Sequence, residues 1–496
     1  MLRTGLIVVG AYLAAAIFAP PPFHRLPFQG KPGQGSDLAR RVTSAPDGLV
    51  KMTYAARDGI CGDGKSFIAD ASTAGRGYDV WFSEGMFSTT SSMSDFESRC
   101  TRGPVRLLLV VRDHRVVDVQ PFVGPSSAAT ERAGTELGTV PVTDVSRYLL
   151  DLAAAGREDV ARTAILAASI ADSVRIAGRL ADIARNKSLG SSVRESALKW
   201  VGRVGAREGD RDATRVARTI AEDRQDQVDV RERAIRVIGE YDGDFAYLRS
   251  LYPRLDEPTL RERVVRVVGE NGSKAELEWI RTVALDRNER TSVRERAVRV
   301  LGESSDSRSL RELYEKLDDP SLRERVIRSL AEIGDSESRR WLREIVERSS
   351  ESAALRERAI RSLAEQGDEA YLRAVYPKLD DEGLRERIIK SVTESGGSET
   401  TTWLKGIVRD PKENSGLRER AVRSLAESGV PTADLVALYD SVSDRAVRDR
   451  LVNILAERGD RAARDKLRSI ATQRALREPS PRIGKIRWTC GSARFE

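Results

Sequence analysis

Two hydrophobic rhythms divide the chain. From about residue 47 to 140 apolar residues alternate or gather in short Val- and Leu-rich runs: "LVKMTYAAR", "KSFIAD", "YDVWF" and "PVRLLLVVRDHRVVDVQPFVG". These are strand patterns, and the last holds two runs around the polar pair Asp113 and His114, which predicts a hairpin. From about 142 onward the period becomes helical. In "SLRERVIRSLAEIGD" (321–335), Leu322, Val326, Leu330 and Ile333 make one buried stripe, and Gly334 supplies a C-terminal stop. The helix before it, "SRSLRELYEKLD", carries Leu310, Leu313, Tyr314 and Leu317 on one face. It ends at Asp318, Asp319 and Pro320, which predict a turn into the next helix.

That two-helix unit repeats. The apolar residue opening each second helix falls at Val160, Val193, Val230, Leu260, Val293, Leu322, Leu355, Leu384, Leu417 and Val447, spaced 29 to 37 residues apart. Trp279, Trp341 and Trp403 stand 62 apart, as do Tyr252, Tyr314 and Tyr376, with Tyr439 following at 63, so pairs of units repeat as a block. Neither helix of a unit can bury its stripe alone; stacking on neighbours does so. Each Trp precedes a core residue, Ile280, Leu342 or Leu404, which predicts that it packs between neighbouring units.

Helix pairs of about thirty residues with an acidic turn, a Val-Arg or Leu-Arg opening and a terminal Gly-Asp resemble HEAT repeats, and are most similar to the short subtype named after phycobiliprotein lyases. The resemblance covers about two thirds of the chain. The expected fold is mostly α, an α-solenoid of about ten HEAT-like pairs (142–475), preceded by a small β-rich (α+β) domain (47–140).

The repeated charges divide by role. The leading arginines Arg231, Arg261, Arg294, Arg323, Arg356, Arg385 and Arg418 each follow an acid by five residues: Asp226, Asp256, Glu289, Asp318, Glu351, Asp380 and Glu413. Asp and Arg ladders of HEAT arrays imply that each acid reaches an arginine, its own unit's or a neighbour's, and locks adjacent units; within the quoted motif we expect Arg323 on Asp318. The glutamate of each "RER" has a base four residues on: Glu232 with Arg236, Glu295 with Arg299, Glu324 with Arg328, Glu357 with Arg361, Glu386 with Lys390 and Glu419 with Arg423. The last arginines, Arg233, Arg263, Arg296, Arg325, Arg358, Arg387 and Arg420, have no partner built into the motif. Second helices of HEAT arrays line the concave surface, which implies that these seven form a basic strip there, either solvated or docking an acidic partner.

Composition agrees with a charged helical array: 32% of residues are charged and 5% aromatic. The net charge of +7 comes from 83 bases interleaved with 76 acids, so no block of one sign dominates. After Arg3 an uncharged apolar run ends at Ala19, with Ala14 and Ala16 in an A-x-A arrangement; residues 1–19 are expected to be a cleaved export signal or an uncleaved anchor. A Pro- and Gly-rich linker (20–46) follows, and residues 476–496 form a C-terminal tail. Cys61 and Cys100 precede the repeats and form a disulfide candidate in an oxidising compartment; Cys490, in the tail, has no evident partner.

Chemistry has few candidates. The two histidines, His24 in the linker and His114 in the hairpin turn, lie in no nucleophile or metal pattern, and the repeats hold none. The expected function is an exported, non-enzymatic scaffold for a protein or peptide in the periplasm or cell envelope, with no cofactor. The alternatives are a nucleic-acid binder using the basic strip, and an enzyme in the N-terminal domain around a free Cys61.

Overall fold

The computed structural model describes residues 37–70, 79–82, 99–270, 273–304 and 307–477. The export segment, His24 and the tail from residue 478 on, with Cys490, lie outside the described residues; residues 476 and 477 of the expected tail continue the last helix. The chain divides into two compact units, residues 1–183 with 188–200, and residues 184–187 with 201–496.

The first unit is built on two sheets. The four-stranded sheet has the order β6-β5-β1-β7, from β1 (Gly48–Tyr54), β5 (Val105–Arg112), β6 (Arg115–Val123) and β7 (Thr135–Thr139). The three-stranded sheet runs β2 (Ile60–Gly62), β3 (Phe67–Asp70) and β4 (Asp79–Phe82). β5 and β6 form the predicted hairpin, and Asp113 and His114 both adopt positive φ (49° and 58°), the turn whose twist matches that of the flanking strands. The exposed His114 donates from Nδ1 to the Thr43 carbonyl at 2.8 Å. Thr43 closes α1 (Asp37–Thr43), a helix inside the segment expected to be linker; Leu38 and Val42 are buried, and that burial overrides the linker composition.

Cys61 on β2 is bonded to Cys100, joining segments 39 residues apart in sequence, and Phe67 and Ala69 pack around the bridge. Nearby, buried Asp70 accepts from Arg57 at 2.9 Å. The unit extends beyond residue 140. Helices α2 (Val142–Ala154) and α3 (Glu158–Ser169) belong to it: α3 packs on β6, and the buried Tyr54 hydroxyl donates to the Ala167 carbonyl at 2.8 Å. α4 (Ala177–Arg185) and α5 (Ser191–Glu208) straddle the division.

The second unit is an α-solenoid. Its first helices are α6 (Arg211–Glu222), α8 (Phe245–Leu251), α10 (Lys274–Leu285), α12 (Ser307–Lys316), α14 (Ser336–Glu347), α16 (Glu369–Val375), α18 (Ser398–Arg409) and α20 (Thr432–Ser441). The second helices are α7 (Val228–Val237), α9 (Pro258–Glu270), α11 (Thr291–Glu303), α13 (Pro320–Ile333), α15 (Ala353–Glu365), α17 (Glu382–Ser395), α19 (Ser415–Glu427) and α21 (Arg445–Arg458), with α22 (Arg461–Arg477) behind them. Each second helix packs on the second helices before and after it. Among the described residues, counted from α2, the helices make ten pairs and α22 is an additional one.

Three of the four predicted stripe residues form the seam, and the fourth, Ile333 in the last turn, is only half-buried. Leu322, Val326 and Leu330 are fully buried, joined by Ile327 from the flank, and each such side chain contributes roughly 1.5–3 kcal/mol. Gly334 ends α13 with φ +64°, closing on the Leu330 carbonyl, a conformation that a side chain would strain. At the helix start Asp319 caps through Ser321 N at 2.9 Å, with Pro320 in the first turn.

Candidate functional site

The leading arginines do form a ladder, and it runs forward. Six of the seven, all but Arg356, reach the acid in the following unit's turn rather than their own. Arg323 meets Glu351 at 3.1 Å, not Asp318, which accepts instead from Arg294 at 3.0 Å. Arg294 holds the Asp318 carboxyl below its ordinary pKa. The reason is geometric: the acid stands in the turn before its own second helix, beside the arginine of the unit stacked behind.

Two versions of the rung alternate, and they account for the 62-residue block. In one, the arginine is buried and the acid faces water: Arg231, Arg294 and Arg418 have side chains 2%, 7% and 6% exposed, against 46%, 39% and 29% for Asp256, Asp318 and Asp444. Each buried Nε donates to a carbonyl ten residues back, Ala221, Ala284 or Val408. Arg356 does the same to Val346 at 2.9 Å, but among the described residues it has no ion pair with Asp380. In the other version the acid is buried. Glu289, Glu351 and Glu413 have side chains 4%, 6% and 5% exposed, paired with Arg261, Arg323 and Arg385 at 28%, 26% and 21%. Asp226, the first acid of the series, is buried, and its carboxylate accepts from the Gln227 backbone N–H.

A buried carboxylate needs more than one donor, and a tyrosine supplies the second. Tyr252 donates to Glu289 at 2.6 Å, Tyr314 to Glu351 at 2.6 Å and Tyr376 to Glu413 at 3.0 Å. Burial and the facing carboxylate push all three phenols well above their ordinary pKa. The arginine lies over the same ring, 5.5, 4.7 and 4.6 Å from its centroid. The next unit's tryptophan meets that ring edge-on at 5.3, 4.8 and 5.2 Å, so the Trp series packs between units as expected. Trp, Tyr, Arg and Glu thus form one assembly, repeated three times. Both 62-residue series and the acids are legible in the sequence, and the constant 37-residue step from each Tyr to its Glu is the signal that joins them.

Glu351→Gln is expected to lower the stability of the array by about 2 kcal/mol, since it weakens the hydrogen bonds that Tyr314, Arg323 and the Ser352 backbone N–H donate to a buried charge. A double-mutant cycle with Tyr314→Phe, read by urea denaturation, should show coupling. Additive effects would mean that hydroxyl and carboxylate act independently.

The seven candidate contact arginines are not a free basic strip. Arg263 is paired with Glu232 (Nε at 2.7 Å), Arg296 with Glu262 at 3.7 Å and Arg387 with Glu357 at 3.0 Å, all across units. Arg325, Arg358 and Arg420 lean toward Glu332, Glu365 and Glu427 of their own helices at 3.9, 3.9 and 3.7 Å. Arg233 is engaged as well. The six with ion pairs have side chains only 15–28% exposed. Burial, with neighbouring arginines, pushes Arg325 and Arg358 below the ordinary guanidinium pKa against the pull of Glu332 and Glu365.

The intrahelical pairs are corrected too. Among the described residues only Glu324 and Arg328 of the six meet, at 2.5 Å, because Glu232, Glu357 and Glu419 turn to arginines of the following unit. Overlooked in the sequence was a second glutamate, eight residues after the first. Every second helix from α7 to α19 reads Glu-Arg-x-x-base-x-x-x-Glu, from Glu232, Arg233, Arg236 and Glu240 to Glu419, Arg420, Arg423 and Glu427. Two acids offset two bases on each helix.

Elsewhere a groove of about 870 Å³ lies between Gly205 and Gly209 on one side and Tyr241 to Asp244 on the other. Its Arg218 is already paired with Asp244 at 2.9 Å and lies over the Tyr247 ring. Among the described residues no group of three His, Cys, Asp or Glu side chains could hold a metal ion, and no helix is long and apolar enough to cross a membrane.

A family model of HEAT repeats matches residues 309–382, the region of α12 to α17. No curated protein matches the chain. Among solved structures, Kap121p is similar over 68% of this chain and 43% of its own, at 12% identity and a TM-score of 0.39. A structure of Kap95p with RanGDP covers 68% and 55% at 12% identity and 0.36, and importin beta 67% and 51% at 13% identity and 0.31. The chain thus spans about half the length of these structures. It is a mostly helical solenoid with a small N-terminal sheet region, and residues 309–382 are similar to HEAT repeats.

Proposed function

We propose that the protein is an exported scaffold that binds a protein partner on the face formed by its second helices. The observation that carries the reading is the charge pattern of that face, repeated without exception over seven helices and exposing Arg328, Arg361 and Lys390 beside Glu332, Glu365 and Glu394. Such a surface offers donors and acceptors at regular spacing but little net field. It suits a partner with mixed polar side chains. A polyanion needs uncompensated cations along its path, and this balance weighs against nucleic acid. It likewise replaces the expected acidic partner by one of mixed charge.

Export is supported by the Cys61–Cys100 bond and by the basic, apolar and small-residue order of residues 1–19. Periplasm or cell envelope is our proposed location. The short units keep the phycobiliprotein-lyase-like subtype as our proposal for the repeat class, and a non-catalytic role as our proposal for the chain.

Affinity capture from the cell envelope tests the reading. The intact protein is compared with an Arg328→Glu, Arg361→Glu, Lys390→Glu variant whose helical circular dichroism is unchanged. The expected result is loss of the partner from the variant. Recovery of the same proteins by both would exclude this face, whereas retention on heparin and on duplex DNA at physiological salt would favour the nucleic-acid alternative.

A further inference from the structure

The Trp-Tyr-Arg-Glu assembly begins a fourth time and is not completed. Its members stand at fixed offsets from the tyrosine: Arg at nine, Trp at 27 and Glu at 37. From Tyr439, Arg448 stands at nine, its guanidinium 5.3 Å from the ring centroid. Its Nε donates to the Val442 carbonyl at 2.7 Å, as Arg261 does to Leu255 at 2.9 Å. The other two positions have changed. In the Trp position is Lys466, with Nζ 5.2 Å from the Tyr439 ring and ion-paired with Asp440. In the Glu position is Leu476.

The backbone explains the missing carboxylate. α10, α14 and α18 are 12 residues long and give way to the turn that presents Glu289, Glu351 or Glu413; α22 runs for 17 residues, to Arg477, and is still helical at that position. Among the described residues neither the Tyr439 hydroxyl nor the terminal nitrogens of Arg448 have a carboxylate partner.

We propose that Arg448, Tyr439 and Lys466 form a binding slot for a glutamate carboxylate on a partner protein, presented at the start of a helix as the next unit would present it. Three observations converge. The guanidinium and phenol keep the arrangement that holds a carboxylate in three other places. The replacement of indole by ammonium adds a cation beside it, leaving two bases against Asp440. The lysine side chain is 15% exposed and is therefore held in place rather than spread into solvent. A partly desolvated Arg with a hydroxyl beside it recognises a carboxylate by charge-assisted hydrogen bonds. The slot rests on the protein-binding reading but uses none of Arg328, Arg361 and Lys390, the cations of the second-helix face.

The probe is a fluorescein-labelled peptide copying residues 336–365, which carries Glu351 ahead of its second helix. Anisotropy titration against the full chain should show saturable binding that weakens with salt. Arg448→Gln in the protein, or Gln in place of the peptide's Glu351, should each weaken it at least about tenfold. Lys466→Gln should weaken it a few-fold and reduce the salt dependence, and it carries the test if Arg448→Gln does not fold by circular dichroism. The Arg328→Glu, Arg361→Glu, Lys390→Glu variant should bind the peptide unchanged, which separates this slot from the face. Absence of binding at millimolar peptide, or binding indifferent to these Gln substitutions, overturns the proposal.

Discussion

Trp341→Ala lowers the stability of the helical array by about 3–5 kcal/mol, the range for truncating a large buried aromatic. Trp341 is 1% exposed, and its ring meets Tyr314 edge-on at 4.8 Å, so alanine leaves a cavity between two units that backbone stacking holds apart. Trp279 and Trp403 occupy the same position in their blocks but are only half-buried, and their alanine variants should cost about 1–2 kcal/mol, closer to lost surface burial than to a cavity. Urea denaturation followed by far-UV circular dichroism separates the cases. Because such an array unfolds by units, the loss can appear as a broadened transition rather than a uniform shift. Equal effects at all three positions would show that burial does not set the cost.

Loss of the Cys61–Cys100 bond should destabilise the first compact unit by about 4 kcal/mol, the chain-entropy value for a loop of this length. Among the described residues the core around the bridge consists of Phe67 and Ala69, packed against Cys61 and Cys100. A Cys61→Ser, Cys100→Ser variant compared with the parent by near-UV circular dichroism in urea measures it. Alkylation under denaturing conditions without reductant supplies the independent check: Cys490 should label and the other two should not. Labelling of Cys61 would remove both the bond and the support it lends to export, and would restore the reading of a reactive thiol.

The alternation of rungs gives the repeat its physical logic. A ladder that buried an arginine in every unit would need a carbonyl and an acid for each, whereas one that buried a glutamate in every unit would need a tyrosine each time. This chain uses the two in turn. Arg294 satisfies Nε on the Ala284 carbonyl and sends its terminus to the exposed Asp318, while Glu351 is buried and collects Tyr314 and Arg323. Buried charges without such completed sets are costly, which is why Tyr and Glu keep their 37-residue spacing across the blocks.

Much of this was legible in order along the chain. The stripe of Leu322, Val326 and Leu330, the stop at Gly334, the hairpin at Asp113 and His114, and the ten helix pairs all follow from periods and turn residues, which act within a few positions of themselves. The partners of the charges do not. Arg323 has Asp318 five residues before it and Glu351 28 residues after it, and only the stacking of one unit on the next brings the second closer. Arg325 lacks a partner at helical spacing of three or four, and the structure turns it toward Glu332, two turns along the same helix. Arg448 keeps the nine-residue step from Tyr439 that marks a rung, and the sequence already has Leu476 in the glutamate position; that α22 stays helical through that position, where the other blocks turn, is shown only by the structure. Local backbone preference and hydrophobic period are properties of the sequence, and they determined the elements. Which charge meets which depends on distances between separate helices, and that was decided by the packing.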